Sequence, residues 1–236
     1  YNKEGYAKRF PTIIKQITAG QGHLQEGWRV NTCMLETDVP ASSFAPECIE
    51  TSPKPQVFLW GDSHNASFYP GMLALQKSGQ YTFALSQRTA AVCPPFIISK
   101  MRPSCSDANN NTLEVIRQTK PEIVVLYSLW NHGMYDLKHL APTVQTLKAA
   151  GVKKVVMMGL PVMWEGRQID HVLALWRKGP PLAQPPIRSW LGVGKDMKKL
   201  DAKYAKVAEQ AGIEYISMLQ LLCNEEGCLT RPGINS

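Results

Sequence analysis

The run Ile123-Val124-Val125-Leu126 is apolar without a break, and it narrows the possible folds more than any other stretch of the chain. A strand with one wet face alternates apolar and polar residues. An unbroken run instead fits a strand buried on both sides, as inside a parallel sheet covered by helices. Comparable runs recur at helix-length intervals. Strands are expected at Val57 to Trp60, Tyr81 to Ser86, Ile123 to Leu129, Lys154 to Leu160 and Glu214 to Met218. Helices are expected between them, at Ala66 to Ser78, Asn109 to Thr119, Leu140 to Ala150 and Met197 to Ala211. Strand and helix in alternation make an α/β domain. Gly151 and Gly212 directly follow two of the helices, where terminators belong. The expected fold class is a three-layer α/β/α sandwich on a central, mostly parallel five-stranded sheet.

Two regions depart from this pattern. Residues 1–53 combine a short amphipathic stretch (Tyr6 to Ile17), a Gly-Gln-Gly turn, a Cys33/Cys48 loop and the Pro-rich Ser52-Pro53-Lys54-Pro55. They are expected to form a linker or extension, with the α/β domain in residues 54–236. The second region, Pro161 to Gly194, carries Pro180, Pro181, Pro185 and Pro186 with Trp164, Trp176 and Trp190. So long an irregular connection either borders a functional face or serves as a docking or packing surface. The chain opens at Tyr1 and closes at Ile234-Asn235-Ser236, and it is expected to be a piece of a larger protein.

Charge and cysteine usage narrow the function classes. The net charge of +7 is dispersed: Lys195, Lys198, Lys199, Lys203 and Lys206 are interleaved with Asp196, Asp201 and Glu209 on one expected helix, as on a solvated face. The interleaved basic and aromatic pattern of a nucleic-acid module is missing. No run approaches the roughly 20 apolar residues of a membrane-spanning helix. The six cysteines form local pairs, Cys33/Cys48, Cys93/Cys105 and Cys223/Cys228, each around a short loop and none with Cys-x-x-Cys spacing. Such pairs favour disulfides and an oxidising compartment, the alternative being six buried thiols in a reducing one. The five histidines include neither His-x-His nor His-Glu-x-x-His, so no metal site and no cofactor is expected.

The sharpest local signal is Val57-Phe58-Leu59-Trp60-Gly61-Asp62-Ser63-His64-Asn65-Ala66. A buried strand, a Gly turn, a serine and a helix start follow one another. That order exposes a hydroxyl at the carboxyl end of the first strand, where ligands bind in open α/β sheets. A serine at this point also serves as a helix cap, and both readings stand on local chemistry alone. The Gly-x-Ser-x-Gly elbow of the α/β-hydrolases is absent.

Gly61-Asp62-Ser63 after a first strand resembles block one of the SGNH, or GDSL-like, hydrolase superfamily, whose sheet is flavodoxin-like. The longer string to His64, with Thr89-Ala90-Ala91-Val92-Cys93-Pro94-Pro95 and Val124-Val125-Leu126-Tyr127-Ser128-Leu129-Trp130, resembles one branch. That branch is the periplasmic SGNH domain fused to acyltransferase-3 membrane proteins, which O-acetylate surface polysaccharides such as lipopolysaccharide O-antigen. The resemblance spans roughly residues 55–230. It implies Ser63 as catalytic nucleophile and first oxyanion donor through its own N–H. It places Val92 where the family has a donor Gly, and Asn131 where the family has a donor Asn. It further implies a transmembrane acyltransferase-3 domain in the same polypeptide and a polysaccharide acceptor. The amino-terminal segment would be the periplasmic linker to the last transmembrane helix of an inner-membrane protein.

The family takes its base from a carboxy-terminal Asp-x-x-His beyond the last strand and the closing Cys loop, a region the chain does not reach by Ser236. A serine without an adjacent base is a poor nucleophile. His64 directly follows the serine and is expected to point elsewhere. Asp170 and His171 fall on a loop or helix surface, His132 near the oxyanion region, and His23 and His139 on the surface. The expected activity is transfer of an acyl group, an acetyl group by resemblance, through Ser63 to a sugar hydroxyl. The alternatives are a periplasmic carbohydrate acetyl-esterase and a non-catalytic carbohydrate-binding or docking domain. The tryptophans of 164–190 are expected either to stack on the sugar or to pack within the protein.

Overall fold

The computed structural model describes residues 12, 14, 15, 26–97, 101–131, 135–179 and 184–231. In chain order its strands are β1 (Met34–Leu35), β2 (Gln56–Gly61), β3 (Ala84–Ala90), β4 (Ile123–Tyr127), β5 (Lys154–Met158), β6 (Arg188–Ser189), β7 (Glu214–Ile216), β8 (Cys223–Asn224) and β9 (Gly227–Leu229). Its α-helices are α1 (Ser63–Ala66), α2 (Tyr69–Lys77), α3 (Pro103–Thr119), α4 (Leu140–Ala149), α5 (Gln168–Lys178), α6 (Met197–Gln210) and α7 (Met218–Leu222). The chain divides into two compact units. One is Gln25–Leu160 with Asp201–Ser217; the other takes in Pro161–Leu200 and the described residues from Met218 onward.

The first unit is built on a sheet of order β1-β3-β2-β4-β5-β7, and every pairing in it is parallel. Strand register sorts the side chains between two faces. Val57, Leu59, Leu85, Ile123 and Val125 share one face, where Phe68, Tyr69, Met72 and Leu73 pack over them. Phe58, Trp60, Val124 and Leu126 alternate to the other face and are fully buried, with Trp60 reaching Asn109 of α3 through a hydrogen bond. Helices on both faces explain why β4 carries no alternation.

The sheet has six strands where five were expected. The sixth, β1, comes from the stretch read as an extension and pairs Met34 with Thr89 and Leu35 with Ala90. Two residues are too few to show a period. β1 is held by a buried cluster of Cys33, Leu35, Phe44, Cys48, Ala90, Cys93, Cys105 and Ala108, which joins two of the disulfides. Cys48 corrects the reading of its surroundings as a loop of an extension. It closes a 3-10 turn, Pro46–Cys48, and both it and its partner Cys33 have no exposed surface. The Cys33–Cys48 bond is therefore a core contact beside β3, a role that spacing alone does not reveal.

Strand β3 runs to Ala90, beyond the expected end at Ser86, because the polar residues there are buried and paired. Ser86 Oγ accepts from Glu50 N and Gln56 Nε2, Gln87 donates to Trp28 O, and Arg88 donates to Asn111 over the Phe44 ring.

The helix expected at 66–78 is two helices, with Pro70 in the first turn of the second. Helix α3 begins at Pro103, six residues before the expected start (109 − 103), with Pro in the first helical position where its missing N–H costs nothing. Gly151 and Gly212 follow their helices with φ of +96° and +66°, as terminators do.

In the second unit, α5 occupies much of the stretch read as irregular. A small antiparallel sheet of order β6-β9-β8 follows, and the Cys223–Cys228 disulfide crosses the β8–β9 pair. Arg188 donates to the carbonyls of Leu222 and Gly227. All three cysteine pairs expected from the sequence are bonded: Cys33–Cys48, Cys93–Cys105 and Cys223–Cys228.

Candidate active site

Strand β2 is paired with β3 on one side and β4 on the other. The chain steps from β2 to β3 in one direction and then crosses to β4 in the other, so the strand order reverses at β2. Side chains at the carboxyl ends of strands beside such a switch point face an open crevice. Ser63 lies there, two residues beyond Gly61, which ends β2. Val92 follows β3 by two residues, and Asn131 follows β4 by four, in an exposed turn. The three residues singled out from sequence therefore belong to the turns after three adjacent strands.

The Ser63 turn is fixed by steric crowding and by a buried carboxylate. A Cβ on Gly61 would lie 1.8 Å from the Tyr127 carbonyl oxygen, closer than any side chain can approach. Asp62 N donates to the same oxygen at 3.3 Å. The Asp62 side chain caps α1 by accepting from His64 N at 2.8 Å. It also accepts from His64 Nδ1 at 3.2 Å, Leu129 N at 3.0 Å and the Tyr135 hydroxyl at 3.3 Å. Asp62 is 2% exposed, and four donors satisfy a charge that would otherwise be costly to bury. Asn65 donates to the carbonyls of Trp60 and Val125, tying α1 to both strands. Ser63 is half-buried, and its hydroxyl makes no hydrogen bond to a described residue.

The electrostatics follow from this carboxylate. Burial first, and then the Asp62 charge, push the Tyr127 hydroxyl above the ordinary tyrosine range. Tyr135 is raised by burial, the Asp62 charge and its hydrogen bond to Asp62, against a smaller opposing effect of Arg102. Both tyrosines stay neutral donors at physiological pH.

The Val92 turn is built differently. Val92 has φ of +50° and is 38% exposed, a left-handed conformation that β-branched residues avoid. Arg102 Nη2 donates to Ala91 O at 2.8 Å on one side of it. Cys93 is bonded to Cys105 on the other. Asn109 Nδ2 donates to Pro94 O and Phe96 O while its Oδ1 accepts from Trp60 Nε1, so α3 ties this loop to β2. Beyond β4, Trp130 is buried and donates to Met158 O at 2.7 Å.

His23 and His132 lie outside the described residues. His64, with a carboxylate partner, carries its proton on Nδ1 and stands edge-on to Tyr127. The sequence contains one Asp-x-x-His spacing, Asp136–His139, well before the last strand of the sheet. Asp136 caps Lys138 N and pairs with Lys138 Nζ, and the His139 ring stands 6.3 Å from Phe96. In the second unit Asp170 and His171 lie on α5: Asp170 pairs with Arg167, and His171 meets Glu165 O and the Trp164 ring. Trp190 is 39% exposed, with Lys198 over one face and its N–H on Glu225 O. Among the described residues no cluster of three or more His, Cys, Asp or Glu could hold a metal, and no helix is long and apolar enough to cross a membrane.

Asp62, Asn109 and Arg102 were missed as site-building residues. An acidic residue before a helix start and an Asn run inside one were the available signals, though neither names its partners.

The sequence matches the family described as SGNH domain (fused to AT3 domains) over residues 32–234. Among solved structures, the periplasmic domain of a lipopolysaccharide acetyltransferase of Salmonella ser. Paratyphi A is similar. It has TM-score 0.75 and 24% identity, with 96% of this chain and 87% of that chain covered. TesA aligns with TM-score 0.45 and 15% identity over 76% of this chain and 87% of that chain. No curated protein matches the sequence.

Proposed function

The chain belongs to the family of SGNH domains fused to AT3 domains, and from that membership we propose that it transfers an acyl group, acetyl by preference, through Ser63 to a polysaccharide hydroxyl. The observation that carries the reading is the position of Ser63 at the switch point, on a turn too tight for any residue but glycine at position 61. Ser63 Oγ attacks the donor carbonyl as its proton passes to a base, and the tetrahedral intermediate then expels the leaving group, which takes that proton and leaves an acyl ester on Ser63. The acceptor hydroxyl then attacks that ester, its own proton passes to the base, and Ser63 is regenerated.

Developing negative charge on the carbonyl oxygen needs preorganised donors. The Ser63 N–H, the Val92 N–H and the Asn131 amide are the proposed set. The left-handed φ of Val92, at the place where the family has glycine, supports that assignment. The base in this reading is a histidine; Asp136 and His139, which have the family's Asp-x-x-His spacing, are engaged locally with Lys138 and Phe96.

The acceptor is proposed to be a bacterial surface polysaccharide such as lipopolysaccharide O-antigen, the class of substrate for which the similar Salmonella domain is named. The family's fusion supports an AT3 domain in the same polypeptide, which this reading takes as the membrane-embedded acyl supplier, and the likeness to a periplasmic domain supports a periplasmic place for this one. The proposal confines the linker to that domain to residues before Thr32, because β1 and the Cys33–Cys48 bond belong to the sheet domain itself.

The test is cellular. Bacteria producing the full-length protein or its Ser63→Ala variant are compared for acetyl signals in purified polysaccharide by NMR. Loss of acetylation in Ser63→Ala, at equal protein level, is expected. Undiminished acetylation in the variant rejects Ser63 as nucleophile.

A further inference from the structure

We propose that Asp62 is a positioning residue for the chemistry at Ser63, fastening the nucleophile turn to the loop that follows β4. The inference rests on the reading of Ser63 as nucleophile and extends it to how that serine is held in register with its surroundings. A carboxylate that merely caps a helix start needs a donor or two from the first turn. Asp62 takes two from His64, and two more from residues 67 and 73 positions away in sequence, Leu129 and Tyr135. Leu129 and Tyr135 flank Asn131 in sequence, so a single carboxylate holds a described residue on either side of it.

The same carboxylate is covalently adjacent to Ser63. Any shift of Asp62 therefore moves the nucleophile and the β4 loop relative to each other, while the sheet beneath them stays as it is. The burial of Asp62 makes the link stiff: at 2% exposure its oxygens have no water to turn to. Positioning of this kind acts on the rate of the bound complex, since displacing a reacting group by about 1 Å costs on the order of 100-fold.

The experiment uses the full-length protein with p-nitrophenyl acetate as donor, reading kcat, KM and melting temperature separately. Tyr135→Phe removes one donor and leaves the helix cap intact; it should keep its melting temperature within a few degrees and lose about fivefold in kcat, the equivalent of one hydrogen bond. Asp62→Asn turns an amide donor toward Leu129 N–H and should lower kcat about 100-fold with KM changed less than about threefold. In the Asp62→Asn background Tyr135→Phe should cost nothing further, because its partner is already gone.

Equal kcat for wild type and Tyr135→Phe overturns the proposal, as does a double variant in which the two losses simply multiply. Should Asp62→Asn fail to fold, Tyr135→Phe decides alone. Ser63→Ala, run alongside, separates the two levels. Turnover that survives in Ser63→Ala removes the nucleophile reading. Turnover lost in Ser63→Ala but unchanged in Tyr135→Phe removes only the role of Asp62.

Discussion

Two neighbouring turns at the carboxyl edge of the sheet solve the same problem in opposite ways. After β2 the chain needs a residue with no side chain, because the Tyr127 carbonyl occupies the space a Cβ at position 61 would take. After β3 the chain places a β-branched residue, Val92, in the left-handed region, where glycine is at ease. The first turn is relaxed and over-determined, with Asp62, Asn65 and the Tyr127 carbonyl all fixing it. The second stores conformational strain of about 1–2 kcal/mol and is held by Arg102, Asn109 and the Cys93–Cys105 bond. Strain of this kind persists only where the surroundings outweigh it, and it concentrates at functional sites. The contrast is between a turn fixed by crowding around a glycine and a turn held from outside in a conformation its own residue disfavours.

The hardest blow to this contrast would fall on Gly61. Gly61→Ala pushes a methyl group into backbone that cannot yield without separating β2 from β4, and a loss of more than about 4 kcal/mol in a urea melt is expected. An alanine variant as stable as wild type would mean that the first turn is not steric in origin. Replacing Cys93 and Cys105 together by serine comes next. Opening a loop with a sequence separation of 12 should cost about 2–4 kcal/mol. Because that loop holds Val92, nitrophenyl acetate turnover should fall further than the melt alone explains.

The tyrosines give a pH test of the first turn. Tyr127 and Tyr135 are held above their ordinary value of about 10 by burial and Asp62, and Tyr215 by burial and its bond to Asp201. Their folded values exceed their unfolded ones, so the stability they contribute is whole below pH of about 10. It is lost as pH rises toward the folded values. Tyrosinate absorbance of these three should appear only as the fold gives way. In Asp62→Asn the onset for Tyr127 and Tyr135 should come at lower pH, and an unmoved onset would separate them from Asp62. The mildest change is Val92→Gly. Strain relief is offset by the flexibility glycine brings to the unfolded chain, leaving a gain of less than about 1 kcal/mol. A clear loss instead would show that the valine side chain is wanted where it stands.

The parts of the fold legible in sequence were those whose signal is local. Ile123-Val124-Val125-Leu126 fits an interior strand, and Gly61-Asp62-Ser63 after an apolar run marked the turn that carries the serine. Strand β1 was hidden because two residues carry no period. The Cys33–Cys48 pairing was readable from spacing, but its burial against β3 was not, since Cys48 sits among polar and proline residues. The end of β3 was hidden because Gln87, Arg88 and Thr89 look like surface until their partners are known. Helix α5 was obscured by the prolines that flank it. Within the site, the role of Asp62 depends on donors from the far side of β4 that no spacing rule connects to it. The Asp136–His139 pair shows the converse, a catalytic spacing whose members are engaged locally.

The most direct measurement on the central claim is intact-protein mass spectrometry of the full-length protein after brief exposure to p-nitrophenyl acetate, with Ser63→Ala in parallel. The account predicts an acetyl-sized adduct on the wild type, mapped by peptide fragmentation to Ser63 and absent from the variant. An adduct of equal yield on both proteins, or one mapped to another residue, would contradict it.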